Sequence, residues 1–231
     1  GTASRKAATS VGALTKRPGG VGGRGGIKKN GFLGNQGAFL GRHGLSSFAP
    51  VASSQAAFDT DLLVVGCGIA GSAAALQAAR LGMHVTMLSS APNVDDCNSF
   101  WAQGGIIYKA DDDTPELLAS DVHTAGAGIC NDAAVMKLAC EGPGRVDQVL
   151  LSGSAEVPFD RDVEGNLALC LEASHNRARI IHWRDETGKA ITTSVQAAAA
   201  QHPNIRIMPA TTAVDLAVAR EQCVGAHVLI E

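Results

Sequence analysis

No aspartate or glutamate occurs before Asp59. Eight bases do: Arg5, Lys6, Lys16, Arg17, Arg24, Lys28, Lys29 and Arg42. All 22 acids lie in the remainder of the chain, so the net charge of −3 averages two physically different segments. The acid-free segment also lacks hydrophobic periodicity, and runs such as PGGVGGRGG and GFLGNQGAFLG cannot build a core. Aromatics are scarce there (Phe32, Phe39, Phe48 and Phe58). This counts against a Gly/Arg-rich RNA-binding tail, the second reading, because such tails interleave stacking rings with arginine. A basic, acid-free, Ser/Ala-rich N-terminus has the composition of an organelle transit peptide. Residues 1–58 are therefore expected to be disordered and transit-peptide-like.

Other absences narrow the chemistry. The six cysteines (Cys67, Cys97, Cys130, Cys140, Cys170 and Cys223) form no C-x-x-C, and no His/Cys cluster has zinc-ligand spacing. Reduced thiols are the simplest reading, and no metal is expected. Residues 62–79 carry no charge, but three glycines, a serine and a glutamine break the run, which reads as strand, turn and helix and not as a membrane span.

That stretch is what organises the chain. VVGCGIAG places Gly66, Gly68 and Gly71 as G-x-G-x-x-G. An apolar run (62–65) precedes it, and a helix-prone run (72–81), Gly82 and a second apolar run (84–88) follow. A strand, glycine turn, helix and strand within roughly 30 residues form the dinucleotide-binding fingerprint. Gly66 permits the tight turn, Gly68 lets backbone approach a pyrophosphate, and Gly71 allows close packing of helix on strand. The helix N-terminus then offers N–H groups and a positive dipole end to the phosphates. One expected feature is missing. The second strand ends Ser89-Ser90, where an acid would hold the ribose hydroxyls.

Further on, 91–98 reads as a loop and SFWAQGGI (99–106) holds a Gln103-Gly104-Gly105 turn. Asp111-Asp112-Asp113-Thr114 predicts a helix N-cap on a solvated acidic surface, with a helix over 115–125. Asn131 caps another helix, and a separate helix is expected over 144–151. Residues 157–169 predict a β-hairpin around Glu164-Gly165-Asn166. LEASHNRARIIH (171–182) is the densest polar cluster. A helix over 187–201, a strand over 205–208 and two strands joined by a turn at 220–222 complete the order. The fold class is α/β: a Rossmann-like domain with inserted helices and a β-hairpin. A parallel sheet begun near residue 60 is not complete by 231, so an N-terminal part of a larger chain is expected.

Six ordered blocks (VVGCGIAG, SFWAQGGI, TAGAGICNDAAV, VPFDRDVEGNLAL, IIHWRDETGK and HPNIRI) make residues 60–231 resemble the L-aspartate oxidases. These belong to the succinate dehydrogenase/fumarate reductase flavoprotein family. The resemblance implies FAD, oxidation of L-aspartate to iminoaspartate with oxygen or fumarate as acceptor, a place in de novo NAD biosynthesis, and quinolinate synthase as a partner. It also implies a plastid address, with mitochondrion or cytoplasm as alternatives. Residues 59–231 would be the N-terminal part of the FAD-binding domain and the start of the substrate-capping region. The family's catalytic arginine falls later than Glu231, so this stretch alone is expected not to turn over substrate.

By the same resemblance, the pyrophosphate turn falls on Cys67, Gly68, Ile69 and Ala70, within Gly66 to Gly71. The second-strand end falls on Ser90. The second flavin segment falls on Asn98, Ser99, Phe100, Trp101, Ala102, Gln103, Gly104 and Gly105, and the adenine-side backbone on Thr212 and Ala213. Asn98 stands where succinate dehydrogenases carry the histidine that bonds FAD covalently, which implies non-covalent FAD. Glu172 matches a glutamate that faces the substrate's α-amino group, and His175 a histidine of the same motif. Two family glycines are replaced by Ala173 and Ser174, which puts the local backbone geometry in question.

Overall fold

A computed structural model describes residues 7–13, 57–153 and 155–231. The first half of the chain holds β1 (Ala7–Ala13), β2 (Ala57–Thr60), β3 (Leu62–Val65), α1 (Ile69–Arg80), β4 (Val85–Leu88), β5 (Ile106–Ile107), α2 (Pro115–Gly126) and α3 (Asp132–Val146). There follow β6 (Leu169–Cys170), β7 (Ile180–Ile181), α4 (Thr187–Gln201), β8 (Ile205–Met208), β9 (Thr211–Ala219) and β10 (Gln222–Ile230).

The central sheet is parallel, in the order β3-β4-β8. Its period-2 side chains separate two cores. On one face Leu62, Val64, Val85, Met87, Ile205 and Ile207 pack with Ala75, Leu76 and Ala79 of α1 and Val195, Ala198 and Ala199 of α4. On the other face Leu88 and Met208 meet Val228, with Leu63, Phe58, Ala213 and Ile230 against them. Helices therefore cover one face, and the β9–β10 hairpin covers the other. Met87 and Val195 are fully buried, each contributing about 1.5–3 kcal/mol.

Local chemistry explains the element ends. The Ala-rich sequence of α1 has high helix propensity, and Gly82 at φ +85° ends the helix, its N–H donating to the Ala79 carbonyl. Thr114 caps α2, accepting from Leu117 N–H at 3.3 Å, with Pro115 in the first turn. The hairpin turn at Arg220-Glu221 has both residues at positive φ, the twist that favours two-residue hairpins.

Several expectations need correction. The cap of α2 is Thr114, while the Asp113 side chain is only 5% exposed and paired with Arg179, so it belongs to no solvated surface. The separate helix expected at 144–151 does not form. Instead α3 runs through Pro143 to Val146, and a π-helical turn, Asp147–Leu151, follows. Pro143 lacks an N–H, which loosens the bonding pattern at that point. The hairpin at 157–169 is reduced to a single bridge, Arg161 with Leu167. There, Asp162 Oδ1 accepts from Glu164 and Asn166 N–H groups and closes the turn early. Leu169–Cys170 pairs with β7, in a small antiparallel sheet of order β5-β7-β6. Within residues 1–58, β1 pairs antiparallel with β10 and parallel with β2 and so satisfies a strand edge. The rest of that segment up to residue 56 lies outside the described residues.

Candidate functional site

The glycine turn sits at the carboxyl end of β3. Gly66 has φ +107°, a conformation that side chains resist, and its N–H donates to Leu88 O at 2.9 Å. A Cβ on Gly71 would overlap the Gly66 carbonyl oxygen, so only glycine lets α1 approach its strand here. Gly68 is the N-cap of α1, which has no side-chain cap and no acid in its first turn. Neither an N-cap side chain nor an acid of α1 itself stands between this helix end and an anion.

The second segment meets this turn directly. Ser99 Oγ accepts from Ile69 N–H at 3.2 Å, and a Cβ on Gly68 would come within 3.1 Å of that same oxygen. Asn98, Ala102 and Gln103 are exposed, and Trp101 is 70% exposed with its ring edge-on to Phe100. Gly104 has φ +68°. A Cβ on Gly105 would overlap Ile180, so the chain passes flat against β7.

Ser90 is exposed just past the end of β4. The backbones of Ser89 and Ala91 accept from Thr211 N–H (2.7 Å) and Ala210 N–H (2.9 Å). These bonds bring half-buried Thr212 and Ala213 beside the end of β4. The predicted turn, strand end and β9 backbone thus line one edge of the central sheet.

Glu172 is exposed, and its Oε1 lies 3.2 Å from where a Cβ on Gly104 would stand. A carboxylate thus lies beside the second segment. Its loop is anchored from below. Arg179 is fully buried, donating to Asp113 from Nε (2.7 Å) and Nη2 (2.9 Å), and to Asp121 Oδ2 at 2.5 Å. Asn176 N–H donates to Asp121 as well, at 3.1 Å. Burial pushes the Asp121 carboxyl up, but the Asn176 hydrogen bond and the Arg179 guanidinium outweigh it and hold the group below the usual carboxylate range. Arg179 Nη1 also lies 3.0 Å from His175 Nδ1. A guanidinium only donates, so Nδ1 accepts and neutral His175 carries its proton on Nε2. Ser174 adopts φ +67° in this loop, a conformation that glycine takes up at less cost.

Sequence reasoning missed the residues that hold the two segments together. All come from α1 or α4. Thr187 Oγ1 donates to the Gly104 carbonyl, and Gly188 N–H donates to Ala102 O at 3.0 Å. Gln196 donates to Cys67 O and Val94 O, both at 2.7 Å, and Ser72 donates to Cys67 O at 3.1 Å. Cys67 is buried, its thiol pushed up to about 11 by burial and then by the neighbouring Cys97. Among the described residues no group of His, Cys, Asp or Glu could hold a metal ion, and no helix is long and apolar enough to cross a membrane.

The cleft fits FAD. It offers a helix end whose N-cap, Gly68, brings no side chain of its own, glycines at 66, 68 and 71, and a second segment bonded to the first through Ser99. Comparison with known proteins agrees. The L-aspartate oxidase of Streptomyces coelicolor is 39% identical over 60% of this chain and 24% of its own length. That of Nostoc is 36% identical over 76% of this chain and 29% of its own. The chloroplastic L-aspartate oxidase of Arabidopsis thaliana is 32% identical over 70% and 24%. The chain thus spans only 24–29% of the length of these curated relatives. In fold it is similar to an E. coli quinol fumarate reductase chain, with a TM-score of 0.68 at 23% identity over 74% of this chain and 29% of that one. Residues 61–231 match the FAD binding domain family, and the chain belongs to it.

Proposed function

We propose that this chain is the N-terminal part of an L-aspartate oxidase, which oxidises L-aspartate to iminoaspartate with oxygen or fumarate as acceptor. The observation that carries this reading is the Glu172 carboxylate held over Gly104. A carboxylate at that point attracts the α-ammonium of an amino acid and repels a dicarboxylate that lacks one. Bound FAD would supply the electron acceptor, while the protein supplies orientation and charge. Gly66 to Gly71 would hold the pyrophosphate, Ser90 the ribose, and Thr212 and Ala213 the adenine side. Asn98 to Gly105 would wrap the flavin. His175, whose Nδ1 is turned to Arg179, would have Nε2 left to bond substrate or flavin.

Asn98 cannot form the bond a histidine makes to flavin, so the FAD is held non-covalently. The reading extends to de novo NAD biosynthesis, with quinolinate synthase taking up the labile iminoaspartate. The acid-free segment 1–58 and the chloroplastic relatives support a plastid address.

The test is peroxide release by the full native protein, with L-aspartate against succinate. Peroxide from L-aspartate alone is expected. Equal or greater turnover of succinate would instead favour a fumarate reductase-type enzyme, and no turnover of either a flavin-binding module without catalysis. Acid precipitation should release all the flavin, and flavin retained in the pellet would overturn the non-covalent assignment.

A further inference from the structure

We propose that Gln196 and Ser72 are positioning residues that lock the Cys67–Gly68 peptide plane, so that the Gly68 N–H faces the FAD pyrophosphate. This rests on FAD occupying the cleft and is independent of the identity of the substrate.

The Cys67 carbonyl accepts two hydrogen bonds, from Gln196 Nε2 at 2.7 Å and Ser72 Oγ at 3.1 Å. A carbonyl oxygen has two lone pairs, and both are thereby used. Both donors are interior groups. Ser72 is fully buried on α1, and Gln196 is 6% exposed on α4. The carbonyl therefore points into the protein. The peptide is trans, so the Gly68 N–H points the opposite way, out over the N-terminus of α1.

That direction requires enforcement. Glycine at position 68 lets backbone approach a phosphate, but it also removes the Cβ that would resist rotation of the preceding peptide. If the plane turned over, a carbonyl oxygen would face the pyrophosphate where an N–H donor is needed. The two buried donors supply the restraint the glycine gives up. The other Gln196 N–H donates to Val94 O at 2.7 Å, which ties the connection between the end of β4 and Asn98 to the same anchor.

The test is ligand binding to the full protein carrying Gln196→Leu, of similar size and without donors. FAD and ADP, which carry the pyrophosphate, are expected to bind about tenfold more weakly. Adenosine, which lacks it, should stay within about twofold of the parent. A merely structural role would weaken all three alike. Gln196→Glu gives a second readout. Ionised, it offers no donor to the Cys67 carbonyl. Protonated, it offers one O–H, so FAD affinity should recover as pH falls, over a range in which the parent stays flat. The proposal is overturned by a folded Gln196→Leu protein that binds FAD within about twofold of the parent, or by equal losses for ADP and adenosine. If Gln196→Leu does not fold, the Gln196→Glu pH profile decides, and a flat profile sinks the assignment.

Discussion

Glu172 and Gly104 lie far apart in sequence, and the fold sets the carboxylate of one against the backbone of the other. If Glu172 receives the substrate ammonium, Glu172→Gln keeps the shape and removes the charge. The expected result is a KM for L-aspartate raised about tenfold, with FAD affinity unchanged. An unchanged KM would return Glu172 to the status of a surface acid. Two residues away, Ser174 holds φ +67° without being glycine. Ser174→Gly should relieve the steric cost and stabilise the protein by about 0.5–1 kcal/mol, even after glycine's extra chain entropy. A raised melting temperature would show it, and a lowered one would mean the serine side chain contributes more than its backbone costs. Cys67 makes a pH prediction. Its thiol is raised from 9.0 to about 11 in the folded state, so the unfolded chain loses that proton first. The stability this contributes is complete below about pH 9 and is lost as pH rises through about 11. Cys67→Ser should flatten the alkaline arm of a stability–pH curve, and an identical arm would rule out this origin.

At the scale of elements, what was legible depended on how local the physics is. The helices that begin at Pro115, Asp132 and Thr187 could be read because Thr114, Asn131 and the apolar spacing act within a turn or two, although the second runs on to Val146 past the end expected of it. The π-helical turn at Asp147–Leu151 was hidden because Pro143 did not end its helix, which leans on a core reached through Val146 and Leu150. Asp113 was misread because its partner, Arg179, lies 66 residues away, a pairing no local pattern announces. Gln196 did leave a trace. It stands between Thr192 and Ala199 on the buried face of α4, and a polar group at such a position requires a partner. The strand, glycine turn and helix at 62–80 were legible as a form, since they are contiguous, whereas the clamps from α4 were not. The Arg179 cluster gives a prediction at this scale. Arg179→Met should cost about 3–5 kcal/mol, because Asp113 and Asp121 would be left charged and buried. Denaturant unfolding measures this, and adding Asp113→Asn and Asp121→Asn should recover much of the loss. A loss below about 1 kcal/mol would show that water reaches the carboxylates.

Across the whole molecule, the three-strand sheet is built from the two ends of a long excursion. β4 ends at Leu88, and its second neighbour begins only at Ile205, so roughly a hundred residues separate strands that share every backbone bond of the pair. During synthesis at the ribosome, one edge of β4 stays without its partner for on the order of ten seconds. The faces of Val85 and Met87 also lack α4 for most of that time. The strand–helix–strand unit β3–α1–β4 is therefore made early and completed late. An unpaired parallel edge in an apolar strand invites association between nascent chains. The late arrival of Ile205–Met208 leaves that edge open to such contacts until the eighth strand emerges and pairs with β4.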